Sequence, residues 1–280
     1  MTIREALRVA GDRLRAAGVP NAGYDAAQML AAVLGEDAMM MRLRADRALD
    51  EAQRAAYASM LDRRAAREPM QYILGTAGFM GLEFHVEPGV LVPRPDTEIL
   101  CGEALARIRP GMRVLDIGTG SGALAVSIAH HAPGCRVTAV DVSDKALAIA
   151  AGNARACGAD VRFVKSDLFS ALGDEAFDMI VSNPPYISRA EMAELMEEVR
   201  REPALALFGG EDGLDFYRRI CREAPAHLGE GGCLLLEIGW QQREAVSRLV
   251  RETVGEPFAL KDYGGNWRVV GAVKETKDAR

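Results

Sequence analysis

Apolar residues recur at helical spacing from the first turn of the chain. Ile3, Ala6, Leu7, Ala10, Leu14 and Ala17 share one face of a 3.6-residue repeat. Thr2 and Glu5 form a Thr-x-x-Glu capping box before that face, and Gly18 with Pro20 stops it. The same reading predicts a helix from about Tyr24 to Leu34, ended by Gly35, and a shorter one over Ala38 to Arg44. Another begins after Asp50, with Gln53 three residues on, and runs to about Glu68, closed by Pro69. Residues 1–72 therefore read as a helical domain.

The period then changes. In residues 73–92, glycines punctuate short apolar runs, and Phe79, Leu82, Phe84 and Val86 are strand-like, so a β-hairpin linker is expected. From residue 93 to 280 the pattern is α/β. Predicted strands are Arg113–Ile117, Arg136–Val140, Val161–Lys165, Met179–Ser182, Gly232–Ile238 and Arg268–Val273, with helical patterns between the early ones. Such alternation implies a mostly parallel, doubly wound sheet. The polar tail Lys274–Arg280 reads as frayed, and Trp240 and Trp267 as core aromatics.

Composition narrows the class. With 49% hydrophobic and 26% charged residues the chain is an ordinary globular one. Its 34 basic and 40 acidic residues give a net charge of −6, so a strongly basic nucleic-acid footprint is absent. No apolar run is long enough to cross a bilayer, and the N-terminus lacks a signal-peptide core. Cys101, Cys135, Cys157, Cys221 and Cys233 show no CxxC spacing, and the four histidines stand far from them, so no metal is expected and the thiols read as structural. This points to a reducing, cytoplasmic setting. Arg63, Arg64 and Arg67 cluster on the last helix of the first domain; a solvated face is favoured there over a phosphate contact.

Two motifs carry chemistry. The first is Asp116-Ile117-Gly118-Thr119-Gly120-Ser121-Gly122, which follows a strand and opens a helix. Glycines there let the backbone approach a ligand at the carboxyl end of the strand. Asp141 ends the next strand, where a carboxylate takes both ribose hydroxyls of an adenosine-bearing cofactor. Gly118-x-Gly120-x-x-Ala123 also fits a dinucleotide fingerprint, which leaves a dehydrogenase open. Asp116 favours the other reading, because a carboxylate suits the cationic methionine end of S-adenosylmethionine better than a pyrophosphate.

The second motif, Ser182-Asn183-Pro184-Pro185-Tyr186, ends the fourth predicted strand. Consecutive prolines remove two backbone donors and fix φ. Carbonyl acceptors and the Asn183 side chain remain, a pocket suited to a planar NH2 group. The Asn183 oxygen and the Pro184 carbonyl would take its two hydrogens, and Tyr186 would offer an aromatic face. Such a nitrogen is a weak nucleophile, so positioning is the main catalytic device.

With both motifs in place the chain resembles, nearly end to end, the protein-glutamine amide methyltransferases of peptide chain release factors, the PrmC/HemK family. The resemblance is carried by Gln71-Tyr72-Ile73-Leu74-Gly75, Pro93-Arg94-Pro95-Asp96-Thr97-Glu98, the two motifs above, Glu202-Pro203, Gly209-Gly210-Glu211-Asp212-Gly213-Leu214 and Tyr263-Gly264-Gly265-Asn266. It implies a Rossmann-like, seven-stranded class I S-adenosylmethionine-dependent methyltransferase whose last strand is antiparallel, joined by a hairpin to a helical substrate-recognition domain. The implied activity is methylation of the glutamine N5 in the Gly-Gly-Gln loop of bacterial class 1 release factors, in support of translation termination. Asn183, Pro184 and Tyr186 would be catalytic, with Pro185 also at the substrate. Asp116, Gly118, Thr119, Gly120, Ser121, Gly122, Asp141, Asp167, Leu168 and Asn183 would hold the cofactor. Several relatives carry an aromatic residue where this chain has Leu168, so either Leu168 gives an aliphatic wall or Phe169 covers the adenine. Arg94 and Glu98 resemble residues lining the cofactor entrance; a helix start capped by Asp96 or Thr97 accounts for the segment equally well. Phe79 and Phe84 read as hairpin packing before substrate contacts.

The Asn-Pro-Pro-Tyr motif is shared with nucleic-acid amino-methyltransferases, which act on a flipped base. Net negative charge and a near-neutral N-terminal region, 11 basic and 12 acidic residues over 1–90, argue against that reading. An inactive, cofactor-sensing adaptor is disfavoured by the intact second motif.

Overall fold

The computed structural model describes residues 1–275 and divides into two compact units, Met1–Gly75 with Met196–Arg201, and Thr76–Leu195 with Glu202 onward. The hairpin read above as a linker clusters with the larger unit, and six residues from the middle of the chain cluster with the smaller one.

The smaller unit holds α1 (Ile3–Ala16), α2 (Ala22–Leu34), α3 (Ala38–Leu43), α4 (Glu51–Ala65) and α5 (Met70–Leu74). Capping boxes at Thr2/Glu5 and Asp50/Gln53 start α1 and α4, and Gly35 closes α2 in the left-handed conformation. The patterning missed α5: Pro69 does not only end α4 but occupies the N-cap position of the next helix. Ile3, Leu14, Met29, Leu30 and Met41 are fully buried in the core between these helices.

Only Arg63 of the arginine cluster is exposed; the other two turn to carboxylates instead of forming the expected solvated face. Arg64 is buried and donates to Asp25 at 2.8 Å, and lies 3.1 Å from Glu198. Arg67 meets both Glu198 oxygens, at 2.7 and 2.6 Å, and Arg63 pairs with Glu68. Burial works against the Glu198 charge, but the two guanidiniums outweigh it and hold its carboxyl down at about 2.

The larger unit opens with the antiparallel hairpin β1 (Thr76–Phe79) and β2 (Leu82–His85). Phe79 and Phe84 are buried and meet edge to face, which is hairpin packing. Then follow α6 (Thr97–Arg107), β3 (Arg113–Ile117), α7 (Ala123–His131), β4 (Arg136–Asp141), α8 (Asp144–Ala156), β5 (Val161–Lys165), β6 (Phe177–Ser182), α9 (Arg189–Met192), α10 (Asp215–His227), β7 (Leu228–Glu237), α11 (Arg243–Thr253), β8 (Pro257–Lys261) and β9 (Trp267–Val273). Two 3-10 turns, Val199–Arg201 and Ala204–Ala206, lie between α9 and α10.

The sheet has seven strands in the order β5-β4-β3-β6-β7-β9-β8. β3 to β7 pair in parallel, and β9 enters antiparallel between β7 and β8. This is the class I methyltransferase arrangement. The strand absent from the patterning is β8: it is short, half-buried and opens with Pro257, features that mark an edge strand and weaken its signal. Two smaller expectations also change. Trp240 is exposed rather than core, and Trp267 is half-buried between Arg243 and Lys261, which stand over its ring. Lys274 is tied to the Pro225 and Leu228 carbonyls at 2.7 Å, and the Glu275 amide donates to the Val254 carbonyl at 3.4 Å; residues 276–280 of the expected frayed tail lie outside the described residues.

Candidate active site

β3 sits mid-sheet, and the chain leaves it toward β4 on one side and reaches β6 on the other. Ligands of doubly wound sheets bind at the carboxyl ends of strands where the order reverses in this way. Here a cavity of about 990 Å³, counting its open mouth, lies against the ends of β3, β4, β5 and β6.

The loop after β3 forms one wall. Its first two amides, of Gly118 and Thr119, donate to the Val140 carbonyl at 2.9 and 3.0 Å, which locks the loop onto β4. Gly118 and Gly120 have φ of 73° and 57°, and no atom lies within 4 Å of a Cβ built at either. The left-handed turn, not crowding, demands glycine there, and the space beside the backbone stays free for a ligand. Asp141 lines the cavity and accepts from the Gly120 amide and the Ser143 amide, both at 2.9 Å.

Asp116 is buried, and its Oδ2 accepts from the Thr119 hydroxyl at 2.6 Å while Oδ1 has no partner. Burial raises its pKa to about 7, against the pull of the Thr119 bond. Of the loop residues expected to hold a cofactor, Gly118 and Gly120 line the cavity; Asp116, Thr119, Ser121 and Gly122 do not. Thr119 and Asp116 brace the loop instead, and the free acceptor on Asp116 gives the wall a negative backing that suits a cationic ligand.

A third segment follows β5. Leu168 lines the cavity with φ of 51°, its carbonyl held by the Ser166 hydroxyl at 2.7 Å. Phe169 points elsewhere and stacks on His227 at 4.6 Å, so the aliphatic residue faces the cavity. Asp167 also lines it, with Arg219 2.8 Å from its Oδ1.

Opposite stands the loop after β6. Asn183, Pro184 and Pro185 line the cavity. Tyr186 does not: its ring packs on the sheet core, where burial pushes its hydroxyl pKa well up. The aromatic wall comes from Phe216 on α10, which the patterning missed, together with Leu91 and Leu205. Phe216 sits just after the Gly-Gly-Glu-Asp-Gly-Leu motif, and helical patterning alone gave no sign that it faces a ligand.

That glycine motif has a mechanical explanation. A Cβ on Gly209 would stand 2.6 Å from the Pro185 carbonyl oxygen and 2.8 Å from the Tyr186 Cα. The 209–213 segment is therefore pressed backbone to backbone on the Asn-Pro-Pro-Tyr loop. Gly209 donates to the Ile187 carbonyl at 2.9 Å, and Gln242 Nε2 bridges the Tyr186 and Gly213 carbonyls at 3.0 and 3.2 Å.

The Pro-Arg-Pro-Asp-Thr-Glu motif is likewise structural in most members. Arg94 pairs with Glu202 at 2.5 Å, Glu202 also accepts from the Val92 amide at 3.0 Å, and Glu98 accepts from the Met80 amide at 2.7 Å. Neither Arg94 nor Glu98 lines the cavity. Asp96 occupies the N-cap position of α6 without a side-chain cap bond and pairs with Arg268 at 3.0 Å. Thr97 is the exception: its hydroxyl accepts from Asn183 Nδ2 at 3.1 Å. With the amide nitrogen thus engaged, Asn183 Oδ1 is the acceptor left for the cavity.

Comparisons with known proteins agree with this geometry. The family model "PrmC N-terminal domain" matches residues 5–75, and "Methyltransferase small domain" matches residues 95–210. The release factor glutamine methyltransferase of Geobacter sulfurreducens is 45% identical over 272 residues, 96% of each chain. The chain belongs to this family. The Cereibacter sphaeroides enzyme of the same name is also 45% identical, over 97% of this chain and 98% of its own, and the Salmonella typhimurium enzyme is 40% identical over 96% and 98%. Among solved structures, a Pyrococcus furiosus methyltransferase matches with TM-score 0.55 and 25% identity over 70% of this chain and 91% of its own. A Thermus thermophilus 16S rRNA N2 G1207 methyltransferase, in complex with AdoMet and guanosine, matches with TM-score 0.53 and 23% identity over 71% of this chain and 50% of its own, a likeness of fold. As in this family, the methyl donor is S-adenosylmethionine.

Proposed function

We propose that this enzyme methylates the side-chain amide nitrogen of the glutamine in the Gly-Gly-Gln loop of class 1 release factors. The observation that carries the reading is Asn183, held by Thr97 with its oxygen left for the cavity, beside Pro184 and Pro185, which offer no backbone donor. That lining accepts hydrogens from an NH2 group and repels a carbonyl.

Bound S-adenosylmethionine supplies an electrophilic methyl on a sulfonium. Asp141 would accept from its ribose hydroxyls, Leu168 and Asp167 would flank its adenine, and the Gly118–Gly120 backbone would leave room for its methionine end. Asn183 and the Pro184 carbonyl would hold the two amide hydrogens of the glutamine and so orient its nitrogen for methyl transfer. No side-chain base is required beforehand, because the nitrogen becomes acidic only once methylated. A glutamine reaches the cleft from an extended loop, and two glycines let that backbone pass the rim without Cβ clashes. The helical unit, close to neutral in charge, holds the body of the release factor. The free cysteines fit action in a reducing, cytoplasmic setting, where release factors work.

The test is transfer of labelled methyl to purified release factor, duplex DNA and ribosomal RNA in parallel. Label on the release factor alone supports the reading; label on nucleic acid alone replaces it with the base-methylating one.

A further inference from the structure

Tyr263 is 97% exposed, in the turn that joins β8 to β9. A slack loop would explain an exposed ring without any function, but this turn is braced. Its Asp262 amide donates to the Asn266 carbonyl at 2.8 Å, and the Gly265 amide to the Asp262 carbonyl at 3.0 Å. Asp262 Oδ1 accepts from the Asn266 amide at 2.9 Å, and Arg268 Nη2 donates to Oδ2 at 2.9 Å. The Asp262 side chain is 5% exposed, so the one carboxylate of the turn is spent inward. Gly265, with φ of 85°, makes the reversal. Backbone bonds and a buried ion pair thus fix a turn whose aromatic side chain is left in water.

Strand register places this turn. Ser182 at the end of β6 pairs with Leu236 of β7, Leu236 pairs with Val270 of β9, and Glu237 with Val269. The turn before β9 therefore stands at the same end of the sheet as Asn183. Trp240, 57% exposed, follows β7 at that end, where the Ile238 amide donates to the Arg268 carbonyl at 2.9 Å. The brace continues toward the cleft. Arg268 also pairs with Asp96 at 3.0 Å, and the next residue, Thr97, accepts from Asn183 at 3.1 Å. Arg268 thereby ties the base of the turn to the start of α6, the helix that holds the cleft amide.

We infer that Tyr263 and Trp240 form a docking surface for the release factor, beside the cleft that its glutamine enters. The inference rests on the substrate reading above and adds a contact surface on the catalytic unit itself. A protein loop that delivers a side chain to Asn183 brings its own flanking surface to this end of the sheet. Tyrosine and tryptophan give large contact area at low entropic cost and are frequent anchors of interfaces. The charge shown outward beside them is Lys261, exposed and 4.8 Å over the Trp267 ring, while Asp262 faces in. The patch therefore fits an apolar spot edged by carboxylates. Nucleic acid stacked on the same rings is the competing occupant, and a net charge of −6 weighs against it.

The experiment is steady-state methyl transfer to purified release factor at saturating S-adenosylmethionine, with binding of a single-stranded RNA oligomer measured alongside. Tyr263→Ala should raise KM for release factor roughly tenfold and leave kcat and donor affinity at parental values, the mark of binding lost without loss of chemistry. Trp240→Ala should act in the same direction. Tyr263→Phe keeps the ring and should stay within about twofold of the parent. Asp262→Ala keeps the tyrosine but releases the turn, and its KM should rise as the anchor loses its preorganisation. The urea midpoint of Tyr263→Ala should not move, because the ring packs against water. Parental KM in both alanine variants, whatever happens to kcat, overturns the surface; weakened RNA binding in the same variants would then assign the rings to nucleic acid. A parent that transfers no methyl to release factor overturns the substrate reading first, and the surface falls with it.

Discussion

In the helical unit, Glu198 shares both oxygens with Arg67, has Arg64 beside it, and its carboxyl is held down at about 2. In the larger unit, Asp116 and Glu237 each keep one oxygen without a partner, and burial raises both to about 7. The pH signs are opposite. Glu198 contributes stability that is complete above its ordinary value of 4.5 and is lost as pH falls through about 2. Asp116 and Glu237 oppose folding more as pH rises from their ordinary values, 3.8 and 4.5, toward about 7. One set of charges ties the chain together; the other is kept at a stability cost beside the cleft. The contrast separates buried carboxylates that are paired from those that are left partly unpaired within one chain.

The largest effect that would break this contrast is at Glu198. Glu198→Ala leaves Arg67 without its bidentate partner and Arg64 with Asp25 alone, and should destabilise the chain by about 3–5 kcal/mol, the range for breaking a buried pair. Urea unfolding checks this, and a change within error would make the network ornamental. Asn183→Ala should lower kcat by roughly two or more orders of magnitude while leaving unfolding unchanged. Steady-state kinetics with release factor decides it, and donor affinity should move less. Asp141→Ala should weaken S-adenosylmethionine by about 1.5–3 kcal/mol, because it removes a charged acceptor. Calorimetry reads the change, and unaltered affinity would remove Asp141 from the ribose. The smallest effect concerns Asp116. Donor affinity should fall by at most about tenfold per pH unit as pH drops below about 7, and Asp116→Asn should flatten that slope.

What could be read from the sequence follows the range of the interaction. Thr2 with Glu5 and Asp50 with Gln53 are three residues apart, and both capping boxes stand as read. Four of the parallel strands, β3, β4, β6 and β7, were visible as apolar runs because both faces are covered, whereas β5 at the sheet edge showed by its alternation of apolar and charged residues. Elements decided by distant partners were not visible. β8 is an edge strand that needs β9 to define it, and Phe216 faces the cavity only because α10 packs where it does. Arg64 looks like one charge in a basic cluster until Asp25 and Glu198 meet it. Tyr186 stands next to three cavity residues in sequence, yet its ring goes to the core. A motif fixes where a loop runs, but the packing behind it fixes which of its side chains reach the ligand.

The most direct test of the central claim is mass spectrometry of a release factor incubated with the enzyme and S-adenosylmethionine, using the parent and Asn183→Ala side by side. The account predicts a single added methyl, located on the glutamine of the Gly-Gly-Gln tripeptide, with the parent and nearly none with Asn183→Ala. A methyl on any other residue, or equal modification by both proteins, would contradict it.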